Sequence, residues 1–169
     1  MFLRSAHIHV IESGGIRPVI LRIETDDGLG EAAVAYGVGA RAAAAMLQEL
    51  AERFLKGKID PFRTEAITTA IRDFSFWAKG GGAILNGALS AIEQALFDIK
   101  ARSLNVPVYE LLGGRLRDDL RTYANGWYFG CASDLALRIA AEKTVADGYD
   151  SLKFYPFATI LRDGRLRHP

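Results

Sequence analysis

Apolar and polar residues alternate through residues 2–11 (FLRSAHIHVI) and again through 18–25 (PVILRIET), the period of a strand with one face buried. Ser13-Gly14-Gly15 supplies turn chemistry between them, so the two runs predict a hairpin. Asp26-Asp27-Gly28 makes a second turn and Leu29 to Val34 a third strand, which completes an antiparallel meander. His7 and His9 fall on one side of the first strand. With no third ligand nearby in the sequence, they read as its exposed side rather than as a metal site.

From Ala40 the period becomes helical. In ARAAAAMLQELAERFL, Met46, Leu47, Leu50 and Phe54 recur on one face of an alanine-rich run, and Gly57 follows as a stop. Asp60-Pro61 has the form of an N-cap followed by a first-turn proline, predicting a second helix from Pro61 to about Phe76, with Phe74 and Trp77 in the core. Gly80-Gly81-Gly82 lacks the Gly-Lys-Ser/Thr of a phosphate loop and reads as a connector. Leu85, Leu89, Ile92, Leu96 and Ile99, with Ala88 and Ala95, then form a buried helical stripe ended by Asn105 and Pro107. Beyond Gly114 the pattern predicts a strand over Leu120–Ala124, a helix capped by Ser133 and running from Asp134 to Asp147, and a second strand over Ser151–Tyr155. Strand, helix and strand in that order demand a parallel pairing.

Composition narrows the function classes. Half of the 169 residues are hydrophobic, ample for a sizeable core, and 21 basic against 20 acidic side chains leave a net charge of +1. That balance offers no footprint for nucleic acid or an anionic membrane, so a small molecule or a protein is the expected partner. Cys131 is the single cysteine, and the first residues lack the layout of a signal peptide, so a reducing cytoplasm is expected. The uncharged stretch near Gly80 to Ile92 is too short and glycine-rich to span a bilayer.

Residues 88–114, ALSAIEQALFDIKARSLNVPVYELLGG, carry a denser signal. Ala88, Ser90, Ala91, Ile92, Glu93, Ala95, Asp98, Ala101, Arg102, Pro107, Val108, Leu111, Leu112 and Gly113 stand at the spacing of a known signature. The chain resembles the mandelate racemase/muconate lactonizing enzyme family of the enolase superfamily, in its acid-sugar dehydratase-like branch. The resemblance implies an α+β N-terminal capping domain, a three-stranded antiparallel meander plus a helical bundle, over residues 1–115. It implies the start of a (β/α) TIM-type barrel over 116–169. Such a barrel takes about 250 residues and roughly fifty follow Arg117, so the chain is expected to hold only its first βαβ part and to be inactive alone. The turn at Asp27-Gly28 is shorter than the family often has, which leaves the strand register there open.

Barrel enzymes draw catalytic residues from the C-terminal strand ends. Lys153 and Tyr155, two apart in a strand, share a face there and are the candidate catalytic pair. The resemblance implies removal of the proton α to a carboxylate, with magnesium and cationic side chains stabilising the resulting enolate. Many members carry Lys-x-Lys at this strand end, the second lysine acting as base; here Tyr155 takes that place. A phenol with an ordinary pKa of about 10 is a poor base near neutrality, which disfavours a two-base racemase. A sugar-acid dehydratase is the expected activity, its base and magnesium ligands lying on later strands. Racemase, cycloisomerase and a non-catalytic fragment are the alternatives. By position in the family, Arg17 in the segment Ser13 to Arg17, Tyr36 in Tyr36 to Gly39, and Trp127 after the first barrel strand are candidate substrate-binding residues. The expected partners are a sugar acid, the remainder of the barrel and, in a homo-oligomer, further copies of the chain.

Overall fold

The computed structural model describes residues 2–12, 17–36, 39–57, 59–74, 76–155, 159–160 and 166–167. The expected loop segments at 13–16 and 37–38, and the side chains of Tyr36 and Trp77, lie outside the described residues. Two compact units divide the chain, Met1–Arg115 and Leu116–Pro169.

In the first unit, strands β1 (Leu3–Val10), β2 (Arg17–Thr25) and β3 (Leu29–Tyr36) form an antiparallel sheet in that order. Period-two alternation buries Val19, Leu21 and Ile23 of β2 completely, while Arg22 and Glu24 turn to the open face. His7 and His9 lie on that open side, where the Ser5 hydroxyl donates to Glu24 Oε2 at 3.1 Å and stands 3.0 Å from His7 Nε2. The short turn keeps its register without a bulge: Glu24 faces Leu29, Ile23 faces Gly30, and Thr25 donates both its backbone N–H and its hydroxyl to the Gly28 carbonyl, at 2.7 and 2.8 Å.

Five helices follow: α1 (Ala40–Phe54), α2 (Thr64–Asp73), α3 (Phe76–Lys79), α4 (Ala83–Leu104) and α5 (Val108–Leu111). α4 lies across β3 and β2, and α1 packs on α4 and β1. Leu21, Ile23, Leu47, Ile71, Ile92 and Leu96 are sealed between these layers. The small residues of the α4 stripe have a physical reason: a Cβ built on Gly30 would lie 2.3 Å from the Ala95 carbonyl oxygen and 2.4 Å from Ile99 Cγ1. Strand and helix backbones touch there. Asp98 adds a polar tie, its Oδ2 accepting the Glu31 N–H at 2.9 Å and the Arg102 Nε at 2.9 Å. Several signature residues thus dock the helix on the sheet.

Two expectations for the first unit need correction. The second helix begins at Thr64, not Pro61, because Asp60 spends its carboxylate on the Phe62 N–H at 2.9 Å and its carbonyl on the Arg63 N–H at 3.1 Å, closing a separate turn. Phe74 is 50% exposed rather than core; it stands edge-on to Phe54 at 5.3 Å, with the Arg53 guanidinium 4.7 Å from its ring centre. α4 ends as its sequence indicated, with Asn105 in the left-handed conformation and the Val106 N–H returning to the Ala101 carbonyl at 3.0 Å.

The second unit holds α6 (Asp134–Ala146) between two extended segments joined by a single parallel bridge, Ala124 to Leu152. The longer strands expected over Leu120–Ala124 and Ser151–Tyr155 reduce to that bridge. Each extended segment pairs only once among the described residues, and Leu120 is 76% exposed. A short antiparallel pair, β4 (Thr159–Ile160) with β5 (Leu166–Arg167), was not legible in the sequence.

Ser133 caps α6 as expected, its hydroxyl oxygen accepting the Ala136 N–H at 3.2 Å. Ser133→Ala should cost about 1 kcal/mol, and Ser133→Asp should retain most of the stability, as measured by chemical denaturation of the complete protein. Equal stability of the wild-type and alanine forms would remove the cap from the account.

Candidate active site

Lys153 is held by its backbone. Its N–H donates to the Ala124 carbonyl at 2.8 Å, which closes the parallel bridge, and its own carbonyl accepts the Trp127 Nε1–H at 2.8 Å. Because both bonds use main-chain atoms at residue 153, the side chain is left free for chemistry. Its ammonium lies 6.0 Å from the centre of the Tyr123 ring, an exposed phenol from the facing segment, at the outer limit of a cation–π contact. Tyr155, on the same parity, is 58% exposed.

Residue 154 serves the opposite purpose. The Phe154 ring lies 5.5 Å from Trp127 and 5.2 Å from Tyr128, and Tyr128 is 5.0 Å from Phe129. These offset and edge-on contacts contribute about 0.5–1.5 kcal/mol each beyond burial and set the strand end against the turn after Ala124. Trp127 therefore braces the segment that carries Lys153. Sequence reasoning named Trp127 as a candidate substrate-binding residue but missed Tyr123 and Phe154; the parity of Phe154, one residue out of step with Lys153 and Tyr155, was the available signal.

Arg121 Nη2 lies 3.1 Å from Asp150 Oδ2 and donates to Ser151 Oγ at 3.1 Å, while Ser151 donates to Asp150 Oδ1 at 3.0 Å. These hydrogen bonds, Ser151 first and Arg121 second, hold the Asp150 carboxyl below its ordinary value of 3.8. A depressed carboxylate contributes stability above its unfolded-state value and loses it as pH falls through the folded one. The stability difference between wild type and Asp150→Asn should therefore shrink below pH 3.8. A gap that stays constant in denaturation series from neutral to strongly acidic pH would contradict this.

Arg17 and Tyr36 lie in the first unit and face each other as backbone partners across β2 and β3. Arg17 is already paired: Glu12 Oε2 lies 3.1 Å from its Nε, while Glu12 Oε1 holds Arg41 Nη2 at 3.2 Å. One carboxylate thus links the end of β1, the start of β2 and the first turn of α1. Among the described residues no three His, Cys, Asp or Glu side chains gather to hold a metal ion, and no helix is long and apolar enough to cross a membrane.

Comparison with known proteins gives these features a context. A D-galactonate dehydratase from Verminephrobacter eiseniae is 44% identical over 117 residues, which cover 68% of this chain and 28% of that protein. A crystal structure from Mesorhizobium loti, provisionally named a dehydratase, superposes with a TM-score of 0.87 at 50% identity, over 94% of this chain and 43% of that one. A Burkholderia xenovorans protein provisionally named an L-alanine-DL-glutamate epimerase, solved with magnesium and fumarate, has a TM-score of 0.81 at 25% identity and covers 99% of this chain, which spans 43% of its length. The chain therefore spans less than half of each of these relatives. Residues 5–113 match the family described as mandelate racemase / muconate lactonizing enzyme, N-terminal domain. With its three-stranded meander, its helices and a signature that ties α4 to β3, the chain belongs to the mandelate racemase/muconate lactonizing enzyme family and is similar to acid-sugar dehydratases within it.

Proposed function

We propose that the chain contributes the capping domain and the first βαβ part of the barrel to a magnesium-dependent lyase that dehydrates a sugar acid. The observation that carries this reading is the placement of Lys153: an exposed ammonium at the C-terminal end of the second parallel segment, its backbone fixed on both sides by Ala124 and Trp127. Family membership and the galactonate dehydratase relative support the class of reaction.

In the proposed reaction the bond between the α-carbon and its hydrogen breaks, the electron pair passes through an enolate, and the β-hydroxyl leaves as water once protonated. The resulting enol becomes a 2-keto-3-deoxy acid. Lys153 binds the substrate carboxylate and stabilises the charge that grows on it. Tyr155 donates a hydrogen bond beside it, and the base comes from a later strand. Arg17, Tyr36 and Trp127 are the proposed substrate-binding residues, Trp127 also holding the strand end. Magnesium would supply further charge stabilisation to the enolate. Among the described residues no three His, Cys, Asp or Glu side chains gather to hold a metal ion, and the magnesium ligands are proposed to come from the remainder of the barrel.

Incubating the complete enzyme with a panel of hexonic and pentonic acids tests this reading. Formation of a 2-keto-3-deoxy acid with loss of one water is expected. Exchange or inversion at the α-carbon with no loss of water would overturn dehydration in favour of racemisation.

A further inference from the structure

Asn125 stands beside Lys153 within the second unit, and the proposed reaction gives it no part. The bridge between the two extended segments fixes the pairing: the Lys153 N–H donates to the Ala124 carbonyl at 2.8 Å, and that carbonyl carbon is bonded to the Asn125 nitrogen. The residue after Ala124 therefore lies across from the residue after Leu152. Paired strand backbones stand about 4.8 Å apart, so the two Cα atoms are close neighbours. The side chains share a face as well. Tyr123, two residues before Asn125, sets its ring 6.0 Å from the Lys153 ammonium, while Ala124 between them turns the other way and is buried.

The turn that follows does not need the carboxamide. Asn-Gly is turn chemistry, but here Gly126 supplies the left-handed φ of 75°, and the turn closes on main-chain atoms, the Phe129 N–H donating to the Gly126 carbonyl at 3.0 Å. Among the described residues no hydrogen bond engages the Asn125 side chain. A carboxamide both donates and accepts, which matches an alcohol, whereas an ammonium matches a carboxylate. In a sugar-acid dehydration the α-carbon becomes a ketone and the β-hydroxyl leaves, so the first hydroxyl to survive is the one on the γ-carbon. It lies only a few bonds from the carboxylate, within the span of side chains on adjoining strands.

We propose that Asn125 is a specificity-determining residue, its carboxamide holding the γ-hydroxyl of the acid whose carboxylate Lys153 binds. This inference rests on the proposed dehydration. The complete enzyme is tested with the hexonic or pentonic acid that it turns over fastest and with the counterpart lacking only the γ-hydroxyl, which can still lose its β-hydroxyl. A site that hydrogen-bonds a hydroxyl rejects the analogue without it, so the wild type should favour the intact acid at least about a hundredfold in kcat/KM. Asn125→Leu, of similar size, should cut that preference at least about tenfold, through a loss on the intact acid and not on the deoxy acid. Asn125→Asp keeps an acceptor but sets a negative charge near the substrate carboxylate, so it should raise KM for both acids and retain part of the preference. The preference is a ratio taken on one preparation, and a partly folded variant leaves it unchanged. A wild type without the preference, or a leucine variant that keeps it in full, would overturn the role of Asn125 and leave the dehydration standing. A wild type that dehydrates none of the acids would overturn both.

Discussion

Lys153→Met in the complete enzyme should lower turnover by about two orders of magnitude or more, with folding unchanged. Methionine keeps the length and removes the charge. If the ammonium faces the substrate carboxylate, its attraction grows as the α-proton leaves, so its loss falls on the transition state more than on the ground state. The magnitude is that of losing one oxyanion donor, about 10²–10³ in turnover. The substitution is also structurally clean, because the hydrogen bonds at residue 153 use its N–H and carbonyl, which methionine retains. Tyr155→Phe should cost less if a later residue is the base, and about as much if the phenol carries the proton. Steady-state rates on a sugar-acid substrate, with circular dichroism as the control, decide the matter: a Lys153→Met enzyme with normal turnover removes Lys153 from the mechanism.

The largest expected effect on stability is at Gly30. Alanine there places a methyl group 2.3 Å from the Ala95 carbonyl oxygen and 3.0 Å from the Ile99 backbone nitrogen, so neither neighbour can rotate away as a side chain would. Strand and helix must separate, and overpacking of this kind typically costs 1–3 kcal/mol, occasionally more; about 3 kcal/mol is expected. Gly28→Ala, two residues earlier, meets only the Thr25 hydroxyl at 3.9 Å and should be nearly neutral. Denaturation midpoints that shift equally for the two variants would refute the close-approach argument.

The meander and α4 were legible because each buries one continuous face: alternation along β2 and the 3.6-residue stripe of α4 both report directly on the core. The start of α2 was misread because Asp60-Pro61 suits a helix start and a turn equally well, and the choice rests on which backbone N–H the carboxylate meets. Lys153 and Tyr155 were set side by side from strand parity, whereas among the described residues the structure pairs that segment with its neighbour only at Leu152. Their surroundings were not legible, because Tyr123 and Trp127 reach Lys153 from the facing extended segment and the turn after it, a tertiary relation that no local period encodes. Arg17 was legible as a cation at a loop root; its pairing with Glu12, and the sharing of Glu12 with Arg41, depend on how β1 and α1 meet.

That sharing bears on how the chain could be altered. Glu12, Arg17 and Arg41 form a clasp at the base of the segment between β1 and β2, at the point where α1 begins. The sheet and the first turn of α1 are therefore held together by residues outside residues 13–16. Closing a longer loop adds only about 0.6 kcal/mol per doubling of its length. Segments of different length and chemistry could thus be exchanged between Glu12 and Arg17 with the clasp and the capping sheet left in place.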